Sequence, residues 1–425
     1  MTQARRILAV MGSGETSPTM VTTHRQLLHR VGPRPVPAVL LDTPFGFQAN
    51  ADDIARRAVE YFRHHVGQEI AVASFRSASV DPLHHEAMLA ALRAARYVFS
   101  GPGSPSHALR QWRGSLVPKV LAEKLEVGGC ITFASAAALT LGVVTVPVYE
   151  IYKVGEDPHW LEGLDLLSAA GLSAAVVPHF NNAEGGTHDT RFCYLGEERL
   201  AAMERQLPPG AFVLGVDEHT CLALDLDDGT ATVTGVGAVT VRAAGRSTEI
   251  RSGSTLAIAD IAALARRPAG PGLGRAPLAE GPAPSTDHPP LASSPLLAAL
   301  AATEEAFSSG LDSGDAEAAV RAVLALEEEL VAWSADTLQS DEPERARAAL
   351  RSMIVRLGQG GWLRREGGPD PAKLVAPFVE ALVRLRAQAR ADGRWADADA
   401  LRSELAVLGV DVRDTPEGST WRLLS

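Results

Sequence analysis

One serine of this chain lies at a strand-to-helix turn, a position from which a hydroxyl group can act as a nucleophile. Ser135 belongs to ITFASAAALTLG (residues 131–142), where an apolar run typical of a buried strand passes into small residues typical of a helix. The backbone N–H of Ala136 would then face the oxyanion that forms during acyl transfer. The glycines usual two positions before and after such a serine are replaced by Phe133 and Ala137. Either the turn is relaxed or Phe133 points into the core, and both possibilities stay open.

Acyl transfer also requires a base, an acid that orients the base and a second oxyanion donor. His179 in VVPHFNN follows a further apolar run and is the candidate base. Gly103 in SGPGS follows another such run and offers the second N–H, while Glu150 in VPVYEIYKVG and Glu218 in GVDEHT are candidate acids. Since the carboxyl ends of strands in an α/β sheet meet at one edge, we expect these residues to converge on a cleft.

Residues 5–260 resemble the dipeptidase E and cyanophycinase family of serine hydrolases in the order and spacing of these segments. Ser135 in FASAAA matches the family's G-x-S-A-G-A turn, His179 in PHFNN matches its N-P-H-F segment, and SGPGS matches its Gly-Gly-Gly-Asn loop. The resemblance implies a class I glutamine amidotransferase-like fold, with Ser135 as nucleophile and His179 as base. It also implies that the N–H groups of Gly103 and Ala136 hold the oxyanion. A hydrolase of this kind needs no metal and no organic cofactor.

The same resemblance offers two acids for the triad. Glu150 falls where the dipeptidases place their acid, whereas LGVDEHTCLAL resembles the cyanophycinase segment G-I-D-E-x-T-A and makes Glu218 a competitor. We expect Glu150 to be the principal partner of His179, because its place after the serine fits the dipeptidase pattern.

The implied substrate is a small peptide or amide. An aspartyl peptide would require a cationic pocket, for which Lys153, Arg191 and Arg199 are the candidates. Each of them also has the ordinary explanation of a solvated surface charge. Neither the identity of the substrate nor the oligomeric state follows from the sequence.

Short apolar runs that alternate with helix-like segments must position these residues. Buried strands are predicted for RRILAVMGSG, AVLLDTPFG, EIAVASF, ARYVFSGPG and GGCITFAS, and NADDIARRAVEYFRHHVG predicts a helix with an Asn/Asp start and a Gly stop. Buried runs separated by helices indicate an α/β fold with a mostly parallel sheet covered on both faces. After Ala211 the pattern changes to short β-rich segments with a DDGT turn, which predicts antiparallel hairpins.

The chain of 425 residues is long enough for two or more domains. Residues 267–292 are dominated by Pro, Gly, Ala and Ser, which is typical of a flexible linker. We therefore predict an amidotransferase-like α/β domain over residues 1–266 and a small all-α domain with a short terminal hairpin over residues 293–425. Five Ala/Leu/Glu/Arg-rich segments of the second region have helical spacing.

Bulk composition narrows the class of protein. A hydrophobic content of 46% and a charged content of 21% suit a globular protein in water, and no apolar run is long enough for a membrane span. The three cysteines are widely spaced, which disfavours a disulfide scaffold or a cysteine zinc site and favours the cytoplasm. The formal net charge of −11 disfavours broad binding to nucleic-acid phosphates.

The end of the chain, RAQARADGRWADADALRSELAVLGVDVRDTPEGSTWRL, resembles the C-terminal segment of cysteinyl-tRNA synthetase. Residues 296–383 resemble the anticodon-binding helical bundle of that enzyme more loosely. The resemblance implies contact with tRNA or with a protein partner. The matching residues are Arg386, Arg390, Trp395, Asp399, Arg402, Leu405, Gly409, Asp414, Gly418 and Trp421.

A synthetase activity is not expected, because the chain contains neither H-x-G-H nor K-M-S-K-S, the stretches that hold ATP in that enzyme class. Residues 372–425 contain eight Lys or Arg and eight Asp or Glu, so they carry no strong electrostatic footprint for RNA. Arg384, Arg386, Arg390 and Arg394 do cluster on one segment and are the candidates for phosphate contacts. The alternative to a hydrolase is therefore a noncatalytic adaptor that binds through this tail.

Overall fold

The computed structural model describes residues 4–79, 81–183, 188–266, 295–333, 342–359, 371–415 and 418–423. The predicted linker, residues 267–292, lies outside this part of the chain. The chain divides into two compact units, one formed by Met1–Thr303 with Leu324–Ala349 and the other by Glu304–Val323 with Leu350–Ser425. The domain boundaries at residues 266 and 293 stay a prediction.

The candidate catalytic residues belong to the first unit, whose strands alternate with helices along most of its length. Its strands are β1 (Arg6–Met11), β2 (Ala38–Leu41), β3 (Ala71–Ala73), β4 (Tyr97–Ser100), β5 (Gly129–Ala134), β6 (Val144–Thr145), β7 (Leu161–Glu162), β8 (Ala174–Val177), β9 (Phe212–Val216), β10 (Thr220–Asp225), β11 (Thr230–Gly235), β12 (Ala238–Ala243), β13 (Arg246–Arg251) and β14 (Thr255–Ala257). Its first helices are α1 (Val21–Val31), α2 (Ala51–Tyr61), α3 (Pro82–Ala94), α4 (Pro105–Trp112), α5 (Val117–Val127), α6 (Ser135–Leu139), α7 (Gly196–Glu204) and α8 (Ile258–Arg266).

The strands form one large sheet and two smaller ones. The large sheet has the order β14-β11-β10-β1-β5-β4-β2-β3, in which the last five strands run parallel and the first three are antiparallel. A second sheet has the order β13-β12-β9-β8 with β8 and β9 parallel, and β6 pairs with β7. The hairpins predicted after Ala211 are β10–β11 and β12–β13. The predicted fold class, an α/β unit with a mostly parallel sheet and flanking helices, is confirmed.

Strand β1 shows why the buried runs are continuously apolar. Successive side chains of a strand point to opposite faces of the sheet. Leu8 and Val10 accordingly belong to the core on one face, and Ile7, Ala9 and Met11 to the core on the other. All five are fully buried, so both faces demand apolar residues.

Helix α2 follows the predicted start and stop signals. It begins after Asn50 and buries Ala51, Ala55 and Ala58, which share one face at helical spacing. The helical path continues through a short π-helical turn and ends at Gly67, whose φ of 74° favours glycine.

The C-terminal region is helical up to a terminal hairpin, as predicted. Its own core contains Val379, Leu405, Val410 and Val412. Among the described residues, no helix is both long and apolar enough to cross a bilayer. The elements are α9 (Pro295–Asp312), α10 (Ala316–Ala332), α11 (Glu342–Gln359), α12 (Pro371–Ala391), α13 (Trp395–Val407), β15 (Val410–Thr415) and β16 (Gly418–Leu423).

Candidate active site

Ser135 lies at the junction of β5 and α6 with a φ of 49°, a left-handed conformation that non-glycine residues rarely adopt. Such strain is typical of the turn that presents a nucleophilic serine. Phe133 is fully buried and stacks on Trp112, with the ring centroids 5.7 Å apart. The N–H of Ala137 donates to the carbonyl of Gly101 at 3.1 Å. The turn is therefore not relaxed, and Phe133 points into the core, which is the second of the two possibilities left open by the sequence.

A continuous chain of hydrogen bonds joins three side chains at this turn. Ser135 Oγ lies 3.0 Å from His179 Nε2, and His179 Nδ1 lies 2.8 Å from Glu218 Oε1. An ionised carboxylate can only accept a hydrogen bond, so Nδ1 carries the proton and Nε2 accepts from the serine hydroxyl. This is the arrangement in which a histidine can remove the proton of a serine.

Pairing within the second sheet brings the histidine and the glutamate together. β8 ends at Val177 and β9 ends at Val216, and the two strands are parallel neighbours. His179 and Glu218 each follow their strand by two residues. The carboxyl ends of two adjacent strands thus place the base and the acid side by side.

Glu218 is held and kept ionised by its neighbours. Burial opposes its ionisation, but the hydrogen bond from His179 and the favourable charges of His179 and His219 outweigh burial and hold the pKa of Glu218 below its ordinary value. The backbone N–H of Glu218 donates to Asn181 Oδ1 at 2.9 Å. A carboxylate in this state can stabilise the imidazolium that forms when the histidine takes a proton.

The structure pairs His179 with Glu218 rather than with the expected Glu150. Glu150 begins a short π-helical turn, Glu150–Val154, and does not line the cavity beside Ser135. Its Oε2 atom is buried without a hydrogen-bond partner among the described residues. The sequence favoured Glu150 because of its place after the serine in the chain. The pairing of β8 with β9 instead decides which carboxylate reaches the histidine.

Ser135 faces a cavity of about 470 Å³, which we call the Ser135 cavity. The two predicted oxyanion donors, Gly103 and Ala136, both line it. Gly103 has a φ of 131°, and a Cβ there would lie 2.1 Å from the carbonyl oxygen of Pro44, so no larger residue fits. Ala136 belongs to the first turn of α6, where backbone N–H groups have no acceptor within the helix.

Of the three predicted cationic residues, Lys153 lines the Ser135 cavity, with its Nζ 5.0 Å from the centroid of the Tyr152 ring. Arg191 and Arg199 are exposed and do not line the cavity. Both guanidinium bonds from Arg191 to Asp189 measure 2.8 Å. The cationic pocket expected for an aspartyl substrate is therefore reduced to Lys153 among these three.

Several polar and aromatic residues of the Ser135 cavity were not expected from the sequence. Ser13 and Glu15 line it and are each 1% exposed. They follow β1 in the segment GSGE, and two polar residues in a glycine-containing turn at a strand end were the signal that could have identified them. Tyr152 stacks on Tyr194 with ring centroids 4.9 Å apart, and its hydroxyl lies 3.4 Å from Nε2 of His188.

Three of the four arginines predicted to contact phosphates are engaged with carboxylates of the tail itself. Arg386 is 2% exposed and binds Asp414 through two hydrogen bonds of 2.6 and 2.8 Å. Arg390 donates to the same carboxylate at 2.6 Å, and Arg394 binds two nearby aspartates. Arg384 is exposed. Arg386 therefore joins α12 to the terminal hairpin, which is a structural role rather than the predicted contact with RNA.

Comparison with known proteins finds a family match in the tail. Residues 375–422 match the family model of the cysteinyl-tRNA ligase anticodon binding domain. The resemblance predicted for the tail is confirmed. The cysteine–tRNA ligase of Nitratidesulfovibrio vulgaris is 53% identical over 57 residues, which are 13% of this chain and 11% of the ligase. The chain thus spans about a tenth of the length of this curated relative.

Comparison with solved structures finds proteins described as peptidases. A peptidase from an acI-B1 Actinobacterium has a TM-score of 0.49 and 17% sequence identity, covering 60% of this chain and 98% of that one. A putative peptidase E protein from Listeria monocytogenes has a TM-score of 0.36 and 12% identity, covering 58% of this chain and 99% of that one.

Proposed function

We propose that the α/β unit is a serine hydrolase that cleaves a peptide or amide bond in a small substrate. The hydrogen-bonded series Ser135–His179–Glu218, with its serine facing a cavity, is the observation that carries this proposal. A serine that served only packing would not require a left-handed backbone or a histidine on its hydroxyl. The acid in this proposal is Glu218.

In the proposed reaction Ser135 Oγ attacks the carbonyl carbon of the substrate while its proton passes to His179 Nε2. Glu218 stabilises the resulting imidazolium through Nδ1–H, and the N–H groups of Gly103 and Ala136 bind the oxyanion. Collapse of the tetrahedral intermediate breaks the carbon–nitrogen bond, and the leaving amine takes the proton from the histidine. Water then attacks the acyl-enzyme with the same proton transfers and releases the acid.

A fluorophosphonate probe tests this proposal, because it reacts with an activated serine and loses fluoride. We expect covalent labelling of the wild-type protein and none of Ser135→Ala. Ser168→Ala, which alters an exposed serine outside the Ser135 cavity, is the matched control and should be labelled like the wild type. Mass spectrometry of the labelled peptide identifies the residue. Labelling that persists in Ser135→Ala, or its absence from the wild type, would contradict the proposal.

A second candidate function is that of a noncatalytic adaptor, and the match of residues 375–422 to an anticodon binding domain supports it. In this proposal the tail binds tRNA, or else a synthetase partner, and the α/β unit has lost its activity. Labelling of Ser135 by the fluorophosphonate would favour the hydrolase over an adaptor whose α/β unit is inactive. A tRNA titration of the tail tests the adaptor function directly.

A further inference from the structure

The Ser135 cavity contains a carboxyl group that the proposed reaction does not use. Glu15 is 1% exposed, lines the cavity, and neither of its carboxyl oxygens has a hydrogen-bond partner among the described residues. The hydroxyl of Ser13, which also lines the cavity, is likewise buried without a partner among the described residues. Buried polar groups of native proteins are nearly always hydrogen-bonded, so both groups are available to hydrogen-bond a ligand in the cavity.

Hydrogen bonds hold the backbone around Glu15 in place, so the fold itself positions this side chain in the cavity lining. His24 Nε2 donates to the Glu15 carbonyl at 2.7 Å, and the N–H of His219 donates to the Ser13 carbonyl at 3.1 Å. Between them, Gly14 has a φ of 63°, and a Cβ there would lie 2.1 Å from His219 Nδ1. The loop therefore packs closely against the segment that carries the proposed triad acid.

The charges around the cavity indicate what kind of ligand Glu15 prefers. Burial raises the pKa of Glu15 above its ordinary value, and the charge of His179 offsets the effect of burial only in part. The other cavity carboxylate, Asp53, is already paired with Arg57 at 2.9 Å. A ligand that brings a positive charge with N–H donors would turn the isolated carboxyl into a hydrogen-bonded ion pair.

We propose that Glu15, assisted by the hydroxyl of Ser13, is a specificity-determining subsite that binds a positively charged, N–H-donating group of the substrate. This inference rests on the serine hydrolase proposed above and narrows its substrate class to cationic peptides or amides. The positive group is either a free amino terminus or an ammonium or guanidinium side chain, and both present the same chemistry to the carboxyl group.

Four matched anilide substrates test the subsite, with arginine or its uncharged isostere citrulline, and with the amino terminus free or acetylated. We expect the wild type to prefer the cationic member of one pair, and Glu15→Gln to reduce that preference in kcat/KM by about 10–100-fold. The pair that loses its preference identifies the source of the charge. Glu69→Gln, an exposed glutamate paired with Arg63, is the control and should keep the wild-type ratio. An equal ratio in wild type and Glu15→Gln would overturn the subsite.

A second measurement separates failure of the subsite from failure of the hydrolase. The rate of fluorophosphonate labelling reports the nucleophile with a probe that carries no cation, and thermal melting shows whether each variant is folded. Binding of arginine amide to Ser135→Ala and to Ser135→Ala/Glu15→Gln is then measured by calorimetry, which needs no turnover. Weaker binding to the double variant supports the subsite even if the wild type is not labelled, and equal binding contradicts it even if the wild type is labelled.

Discussion

At the scale of single residues, backbone strain coincides with the proposed chemistry. Ser135 and His179 have φ values of 49° and 48°, and His219, next to the proposed acid, has a φ of 53°. Each such residue costs about 1–3 kcal/mol, so it persists only where its surroundings hold it. The carbonyl of His179 accepts from the N–H groups of Asn182 and Cys193 at 3.1 and 3.2 Å. At His179, local hydrogen bonds therefore hold this strained backbone at a residue of the proposed triad.

Replacement of the two candidate acids distinguishes their roles. We expect Glu218→Gln to lower kcat by about 10²–10⁴-fold, because a neutral amide neither stabilises the imidazolium nor selects the correct tautomer of His179. Glu150→Gln is the matched control and should retain most of the turnover. Steady-state kinetics on a cleaved amide measure both, and a large loss confined to Glu150→Gln would contradict the assignment.

Asp217, beside the proposed acid, predicts a pH dependence of stability. Burial raises its pKa from the ordinary value of 3.8 to about 6. Between these two pH values the unfolded state releases a proton that the folded state keeps, so the stability contribution of this group falls as pH rises. In the wild type the N–H of Ala238 donates to Asp217 Oδ2 at 2.9 Å. Asp217→Asn keeps an oxygen that accepts this hydrogen bond and removes the charge.

We therefore expect Asp217→Asn to gain stability relative to the wild type between pH 4 and pH 7, by about 1–3 kcal/mol in the free energy of unfolding. Urea unfolding at both pH values measures the gain. Asp157→Asn, at an exposed position, should show no such gain. The same difference from the wild type at both pH values would exclude Asp217 as its source.

At the scale of elements, the loops that end β4 and β5 support each other around Ser135, the proposed nucleophile. The N–H of Ala137 donates to Gly101 at 3.1 Å, and the N–H of Ser104 donates to Pro44 at 2.8 Å. The loop that carries Gly103 is thus fixed both to α6 and to the loop after β2. This packing leaves no room for a side chain at Gly103.

Gly103→Ala is expected to damage this loop. The added Cβ would meet the carbonyl oxygen of Pro44 at 2.1 Å. The φ of 131° at Gly103 is also unfavourable for alanine. We expect a loss of stability of about 1–3 kcal/mol and a fall in kcat of about 10²-fold as the oxyanion donor is displaced. Gly114→Ala, where a Cβ would meet nothing within 4 Å, is the control. Melting curves and kinetics that are equal for the two variants would contradict the prediction.

The tail contains a pair of neighbouring arginines with opposite expected roles. Arg386→Gln removes the buried guanidinium that pairs with the exposed Asp414 and should lower the unfolding free energy of the tail by about 1–3 kcal/mol. Arg384→Gln alters an exposed residue of the same helix and should leave stability unchanged. Chemical unfolding followed by circular dichroism compares them, and equal stabilities would show that the Asp414 pair contributes nothing.

At the scale of the whole molecule, the chain joins an α/β unit with a candidate active site to a tail similar to an anticodon binding domain. The tail has its own apolar core, formed by residues of α12, α13 and β15. It also has balanced charge over residues 372–425. A separate core predicts independent folding, and balanced charge predicts weak attraction to phosphates.

We expect residues 293–425 to fold when expressed alone and to bind tRNA weakly, with an affinity that falls steeply as salt is raised. Gel shift or calorimetric titration with tRNA at low and moderate salt measures this. Tight binding that persists at moderate salt would contradict the charge argument, and Arg384→Gln would then locate the contact. Loss of helical circular dichroism in the fragment would instead contradict the predicted boundary at residue 293.

The sequence by itself determined the types of the elements and identified the serine and the histidine of the candidate site. Apolar runs and helical spacing are patterns among residues that are close together in the chain, so they can be recognised without the fold. They predicted the parallel strands, the hairpins after Ala211 and the five tail helices. Ser135 and His179 were identifiable because each lies at the end of a buried run, and such strand ends share one edge of the sheet.

Only the tertiary structure decided which carboxylate completes the site. Glu150 and Glu218 are equivalent as local patterns, and the choice depends on β9 being the parallel neighbour of β8, a pairing between strands far apart in the chain. The same holds for Glu15 and Arg386, which read as ordinary charged residues until the fold buries them. Burial and pairing are long-range properties set by which surfaces pack together, and no local spacing encodes them.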